Sequence, residues 1–233
     1  MVKITLNRVS AVRDHWSLSA SGTFDEGVHL VSGDVGSGKS TLALMMAGLL
    51  PLSDGDIDKE EITTSMLSLQ FPELHVTGLT VAEECASWGV DPDEILDAVR
   101  LTQKKEASPL SLSRGELKRL HLACVLAKDF DLLVLDEPFS SLDCEEKVKL
   151  SARIGRKSQG ITVIFTHEQN IFPRVKRIWE IADGTLVDCG TPPDAFTRWR
   201  HVPPVIKKLT ALGFTPDNIS PDDFLEAVCR IQG

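Results

Sequence analysis

An α/β fold built on a mainly parallel sheet is what this chain of 233 residues predicts, and three observations carry that expectation. The segments "DLLVLDEP" and "ITVIFTH" have strand length and are apolar throughout, the pattern of strands buried on both faces. Helical stretches separate such segments, as parallel connections require. A glycine-rich loop, "GDVGSGKS", joins an apolar strand to an apolar helix. The length suits one large domain or two small ones, and a hydrophobic content of 42% can fill a core.

Taken in order, residues 2–35 read as short strands interrupted at "RDH" and "DEG". Thr41–Leu50 reads as a helix stopped by Pro51, and "MLSLQF" (66–71) as a strand. Between Pro72 and Ser111 the chain turns polar, and "VAEECASWG" with "DPDEILDAVRLTQKKEA" suggests a small helical insert. "SRGELKRLHLACVLA" is an amphipathic helix with Leu117, Leu120, Cys124 and Ala127 on one face. "EEKVKLSARIGRKSQG" reads as a helix ended by Gly160, and "RIWEIADGTLVDCG" as a hairpin turning at Asp183-Gly184. In "SPDDFLEAV", Ser220 caps a final helix and Pro221 takes its first position.

Composition removes several function classes. A net charge of −9 argues against nucleic acid, whose binding rests on Lys and Arg neutralising phosphates. Tyr is absent and aromatics make up only 6%, which disfavours base-stacking platforms. The five cysteines are scattered without a CxxC pair, so neither a zinc site nor a disulfide framework is expected, and a reducing cytosol fits. The opening "MVKITLNRVS" lacks the apolar core of a signal peptide. The longest uncharged apolar run, Leu42 to Leu52, has 11 residues and cannot span a bilayer. Any membrane component is therefore expected on another chain.

The glycine-rich loop matches G-x-x-x-x-G-K-[ST] as Gly33, Asp34, Val35, Gly36, Ser37, Gly38, Lys39 and Ser40, with Thr41 continuing into the helix. Glycines let main-chain N–H groups turn inward around phosphates, and the helix N-terminus adds partial positive charge. Lys39 is expected to reach the β- and γ-phosphates of a bound nucleotide, and Ser40 to ligate Mg²⁺. The partner of such a loop is acidic and ends a buried strand. "LLVLDE" supplies Asp136 for the Mg²⁺ shell and Glu137 to polarise the attacking water.

With "QFPE" (70–73), "LSRGE" (112–116), "SSLD" (140–143) and "FTH" (165–167) in order around the loop, the chain resembles an ATP-binding cassette (ABC) ATPase over roughly residues 1–195. The resemblance implies a P-loop NTPase fold: a mainly parallel sheet core, an N-terminal antiparallel β subdomain and a small helical subdomain at about 72–112. Residues 1–200 would form the nucleotide-binding domain and 201–233 a short helical tail. It also implies ATP with Mg²⁺ and assigns further roles. Gln70 would ligate Mg²⁺ and sense the water, His167 would contact the γ-phosphate, and Asp143 would line a dimer seam. Ser113 and Gly115 would bind the γ-phosphate held by the opposite subunit, as a Ser-x-Gly turn opening a helix can.

The signature departs from the usual Leu-Ser-Gly-Gly-Gln, because Arg114 replaces the first glycine and Glu116 the glutamine. This favours pairing with a second, related ATPase, although two identical copies also fit. For the adenine, Trp16 and Arg13 both stand as stacking candidates. "QFPELHVTGLTVAEECASWG" and the tail resemble the energy-coupling-factor branch, importers of vitamins and of cobalt or nickel ions. That implies an importer ATPase on the cytoplasmic face of the membrane, working with separate membrane subunits. The alternative is a soluble ABC ATPase acting on nucleic acid or ribosomes. The short insert without heptads, the single cassette and the acidic charge all weigh against it.

Overall fold

The computed structural model describes residues 1–13, 15–157 and 159–232. Strands β1 (Lys3–Arg13), β2 (Trp16–Asp25) and β4 (Asp54–Glu60) pair antiparallel, β1 lying between the other two. Strands β3 (Gly27–Gly33), β5 (Ser65–Ser68), β6 (Leu132–Asp136), β7 (Ile161–Phe165) and β8 (Arg177–Ala182) pair in parallel. Strand β9 (Thr185–Gly190) returns antiparallel on β8 through Asp183-Gly184, both with positive φ, as the hairpin reading expects. The order across the sheet is β4-β1-β2-β9-β8-β3-β7-β6-β5.

Each parallel strand buries alternate residues on opposite faces. Val31, Val134 and Val163 face a cluster with Leu42, Met45 and Met46 of α1 (Lys39–Ala47) and with Ile4, Leu18 and Phe24 of the antiparallel strands. Leu30, Leu133 and Ile164 belong to the opposite cluster with Leu122 and Val125 of α4 (Arg114–Leu126) and Leu150 and Ile154 of α5 (Cys144–Gly155). Val202, Ile206 and Ile219 of the C-terminal segment join the same cluster. Helices α6 (Pro204–Ala211) and α7 (Pro221–Gln232) complete that segment, with Ser220 Oγ accepting the Asp223 N–H at the start of α7.

A third cluster lies in the insert, where α2 (Val81–Ser87) and α3 (Pro92–Ala98) pack Val81, Cys85, Ile95 and Leu96 on Leu117, Leu120 and Cys124 of α4. Helix α4 is therefore buried on two sides rather than along one amphipathic face, and Ala127 is exposed beyond its end. Three other expectations need correction. Helix α1 ends at Gly48, whose left-handed conformation returns its N–H to Leu44 and Met45, before Pro51 is reached. Helix α5 ends at Gly155, well short of Gly160. The strand read at 66–71 leaves the sheet after Ser68. Strand β4 had no apolar signature, because it is an acidic edge strand with mostly exposed side chains.

Candidate functional site

Register brings the site together. Phe165 at the end of β7 pairs with both Val31 of β3 and Asp136 of β6. The glycine-rich loop, the Asp136-Glu137 pair and Thr166-His167 thus leave the carboxyl ends of three adjacent strands side by side, where parallel sheets place their ligand crevice. A cleft of about 510 Å³ opens there, lined by Val35, Gly36, Gly38, Lys39, Ser40, Thr41, Gln70, Glu137 and His167, together with Arg13 and Trp16. The loop's outer edge, Asp34 to Ser37, also borders an adjoining cavity of about 470 Å³.

Lys39 is buried, and its Nζ donates to the Gly33 and Asp34 carbonyls, each at 2.9 Å. Burial lowers its pKa, opposed by the charges of Glu137, Asp136 and Asp34. At Gly38 the φ is +108° and a Cβ would lie 2.6 Å from the Trp16 ring, so only glycine lets that indole lie against the loop. Trp16 therefore stands on the cleft wall beside the loop, with Arg13 across the β1–β2 turn.

The two acidic residues differ in environment. Asp136 is buried, and desolvation raises its pKa against the opposing hydrogen bond with Ser40. Its Oδ1 is buried without a hydrogen-bond partner among the described residues. An orphaned carboxylate oxygen beside a serine hydroxyl, with Gln70 on the same cleft, is an oxygen donor set that suits a hard divalent cation such as Mg²⁺.

Glu137 has its main chain in the left-handed region (φ 49°), a strained conformation of the kind that concentrates at functional sites. Its carboxylate accepts from Thr166 Oγ1 at 2.9 Å and from the His167 main-chain N–H at 3.1 Å, and pairs with His167 Nδ1 at 2.7 Å. The residues that follow β7 thus orient the carboxylate that follows β6.

Ser113 and Gly115 lie at the start of α4 and do not line this cleft. Ser113 Oγ accepts the Glu116 N–H while the Glu116 carboxylate accepts the Ser113 N–H, a reciprocal cap. Lys104 donates to both Glu116 oxygens and, together with that cap, lowers its pKa to about 2. Glutamate in place of glutamine thus has a local structural role. A Cβ on Gly115 would come within 2.9 Å of the Ser141 carbonyl, so glycine is needed for this close approach. Arg114 is exposed at the first helical position, and Asp143 caps α5 through the Glu146 N–H.

Two contributors escaped sequence reading. Thr166 was passed over beside His167 within "FTH", although a hydroxyl at a buried strand end was a usable signal. His201 had none, being distant in sequence. It bridges the buried Glu180 of β8, through Nδ1, and Asp34 of the loop, through Nε2 at 3.0 Å. Burial works against its cation, but the hydrogen bonds to Glu180 and Asp34 prevail and raise its pKa above 6.5. Stability from this bridge is fully present below pH 6.5 and is lost as pH rises through the folded-state value. The thermal midpoint of the wild type should exceed that of His201→Gln most at about pH 6, with the gap narrowing towards about pH 9. A gap independent of pH would show that the contact is not an ion pair.

Comparison with known proteins gives the family and the fold. A family model described as "ABC transporter" matches residues 20–140. The chain is 32% identical to the energy-coupling factor transporter ATP-binding protein EcfA1 of Thermotoga maritima over 215 residues, covering 82% of each chain. It is equally 32% identical to EcfA2 of the same organism over 234 residues, covering 86% of each. A solved structure described as a putative cobalt transport ATP-binding protein (cbiO-2) superposes with a TM-score of 0.64 at 23% identity, covering 78% of both chains.

Proposed function

The chain belongs to the ABC transporter family of ATP-hydrolysing proteins, and we propose that it is the ATPase subunit of an energy-coupling-factor type importer, driving uptake of a vitamin or a transition-metal ion through separate membrane subunits. In this reading it works on the cytoplasmic face of the membrane. Among the described residues no helix is long and apolar enough to cross a bilayer.

The observation that carries the reading is the segment that leaves the cleft at Gln70. Phe71, Leu74 and Leu79 on it are 46%, 66% and 82% exposed. Apolar side chains gathered in one exposed segment favour a docking surface. The segment is also held firmly, because the Glu84 carboxylate accepts the Thr77 and Gly78 N–H groups, each at 2.8 Å. A firm segment running from the cleft to an apolar surface suits the transfer of motion to a membrane protein's helix.

The chemistry follows from the cleft. Lys39 and the loop N–H groups neutralise the β- and γ-phosphates, and Trp16 offers its ring to the adenine. Ser40, Asp136 and Gln70 would hold Mg²⁺, which when bound withdraws charge from the phosphate oxygens. Glu137 takes a proton from the attacking water as the water oxygen bonds to the γ-phosphorus and ADP departs. Thr166 and His167 keep Glu137 aimed, and His167 Nε2 is left for the γ-phosphate. Ser113 and Gly115, standing apart from their own cleft, serve the ATP of a second ATPase subunit. Equal identity to EcfA1 and EcfA2 suits either place in a pair of related subunits.

The test places a charge on the apolar segment. Phe71→Asp should weaken association with copurifying membrane subunits about tenfold or more while ATP affinity stays within about twofold. Wild-type protein that copurifies with ribosomes or nucleic acid, or a variant that keeps its membrane partner, would overturn the reading.

A further inference from the structure

Lys118 is a buried cation, 1% exposed, on the helix that Ser113 caps. Its Nζ donates to two main-chain carbonyls, Gln70 at 3.0 Å and Leu69 at 3.4 Å. Burying an ammonium is costly unless opposite charge and hydrogen bonds compensate. The attracting carboxylates here are those of Asp136, Glu137 and Glu73. The cation thus lies within the field of the Asp136-Glu137 pair and grips the main chain that carries Gln70.

The same stretch is held from a second side. Strand β5 ends at Ser68, so the sheet no longer fixes the chain from Leu69 onward. His75 Nε2 accepts the Leu69 N–H at 3.0 Å. The His75 ring stacks on His121 of α4, centroids 4.4 Å apart and planes 16° from parallel. His121 Nε2 in turn bonds Ser68 Oγ at 3.0 Å. Ser68, the last residue of the ladder, and Leu69 and Gln70 beyond it therefore all hang on α4.

We infer that Lys118, together with His75, is a positioning residue for Gln70, holding its main chain at the cleft and tying its place to that of α4. This rests on the reading of Gln70 as a Mg²⁺ ligand and deepens it. The consequence is mechanical. When α4 moves, as its Ser113 end engages or leaves a partner's nucleotide, Gln70 of the same chain moves with it. The apolar segment beyond Gln70 then moves too, so one buried lysine links the signature end of α4, the metal side of the cleft and the docking surface.

The experiment measures binding of a fluorescent ATP analogue to the full chain, with and without Mg²⁺, and reads the Mg²⁺ concentration for half-maximal effect. Lys118→Met should raise that concentration about tenfold, the scale on which outer partners tune metal affinity, and leave Mg²⁺-free binding unchanged. Lys118→Arg, which keeps donors, should return most of the loss. His75→Leu should shift the midpoint in the same direction and His75→Gln, which keeps an acceptor, much less. This second pair decides the matter should Lys118→Met fail to fold. Leu117→Ala controls for general loosening of α4 and should lower stability without moving the midpoint. Unchanged midpoints in both Lys118→Met and His75→Leu would overturn the inference alone. Wild-type binding that ignores Mg²⁺ would overturn the underlying role of Gln70 as well.

Discussion

Glu137→Gln is expected to bind ATP almost as the wild type does and to hydrolyse it at least about a hundredfold more slowly. The substitution removes the basic oxygen but keeps the shape. A glutamine Oε1 can still accept from the His167 main-chain and Nδ1 donors, while its amide faces Thr166, whose hydroxyl can turn to accept. The left-handed main chain at residue 137 is unaffected by the swap. Glu137→Ala would be a poorer probe. It strips partners from Thr166 and His167 and costs about 1–3 kcal/mol of stability for each buried donor left unsatisfied. Turnover assays beside equilibrium ATP binding decide the matter, and unchanged turnover in Glu137→Gln would move the base elsewhere.

Lys39→Met should act on binding, weakening ATP by about a hundredfold, the equivalent of about 2–3 kcal/mol in lost charge-assisted hydrogen bonds. Lys39 is 6% exposed, and its ammonium already lies among the loop carbonyls of Gly33 and Asp34. Little side-chain ordering is then left to oppose phosphate binding. Methionine matches the stem and isolates the effect of the charge. Titration with a fluorescent ATP analogue should show the loss, whereas equal affinity in the variant would mean that this loop is not the phosphate cradle.

Much of this molecule could be read from its residues because the relevant chemistry is local. The apolar runs of β6 and β7, the Asp183-Gly184 turn and the Ser220-Pro221 start of α7 each depend on neighbours within a few positions. Helix ends were less legible. Gly48 stops α1 by adopting a left-handed conformation, and nothing in composition says that it does so before Pro51. Helix α4 misled through its pattern, since a helix packed on two clusters has no single apolar stripe. Nothing in that pattern marks Lys118, yet it is buried, with its ammonium on the Leu69 and Gln70 carbonyls.

The sequence by itself determined the family, the glycine-rich loop that ends in Lys39 and Ser40, and the acidic pair at the end of an apolar strand. Those features are contiguous, and their chemistry requires fixed residue types at fixed spacing. Only the tertiary structure decided that Thr166 and His167 hold Glu137, that Asp136 keeps an oxygen unpartnered among the described residues, and that His201 reaches back to Asp34. It also decided that Ser113 and Gly115 stand outside the cleft of their own chain. These relations join residues from 29 to 167 positions apart. They arise because parallel register aligns strand ends and because buried polar groups must find partners wherever packing brings them, conditions that no local window of sequence contains.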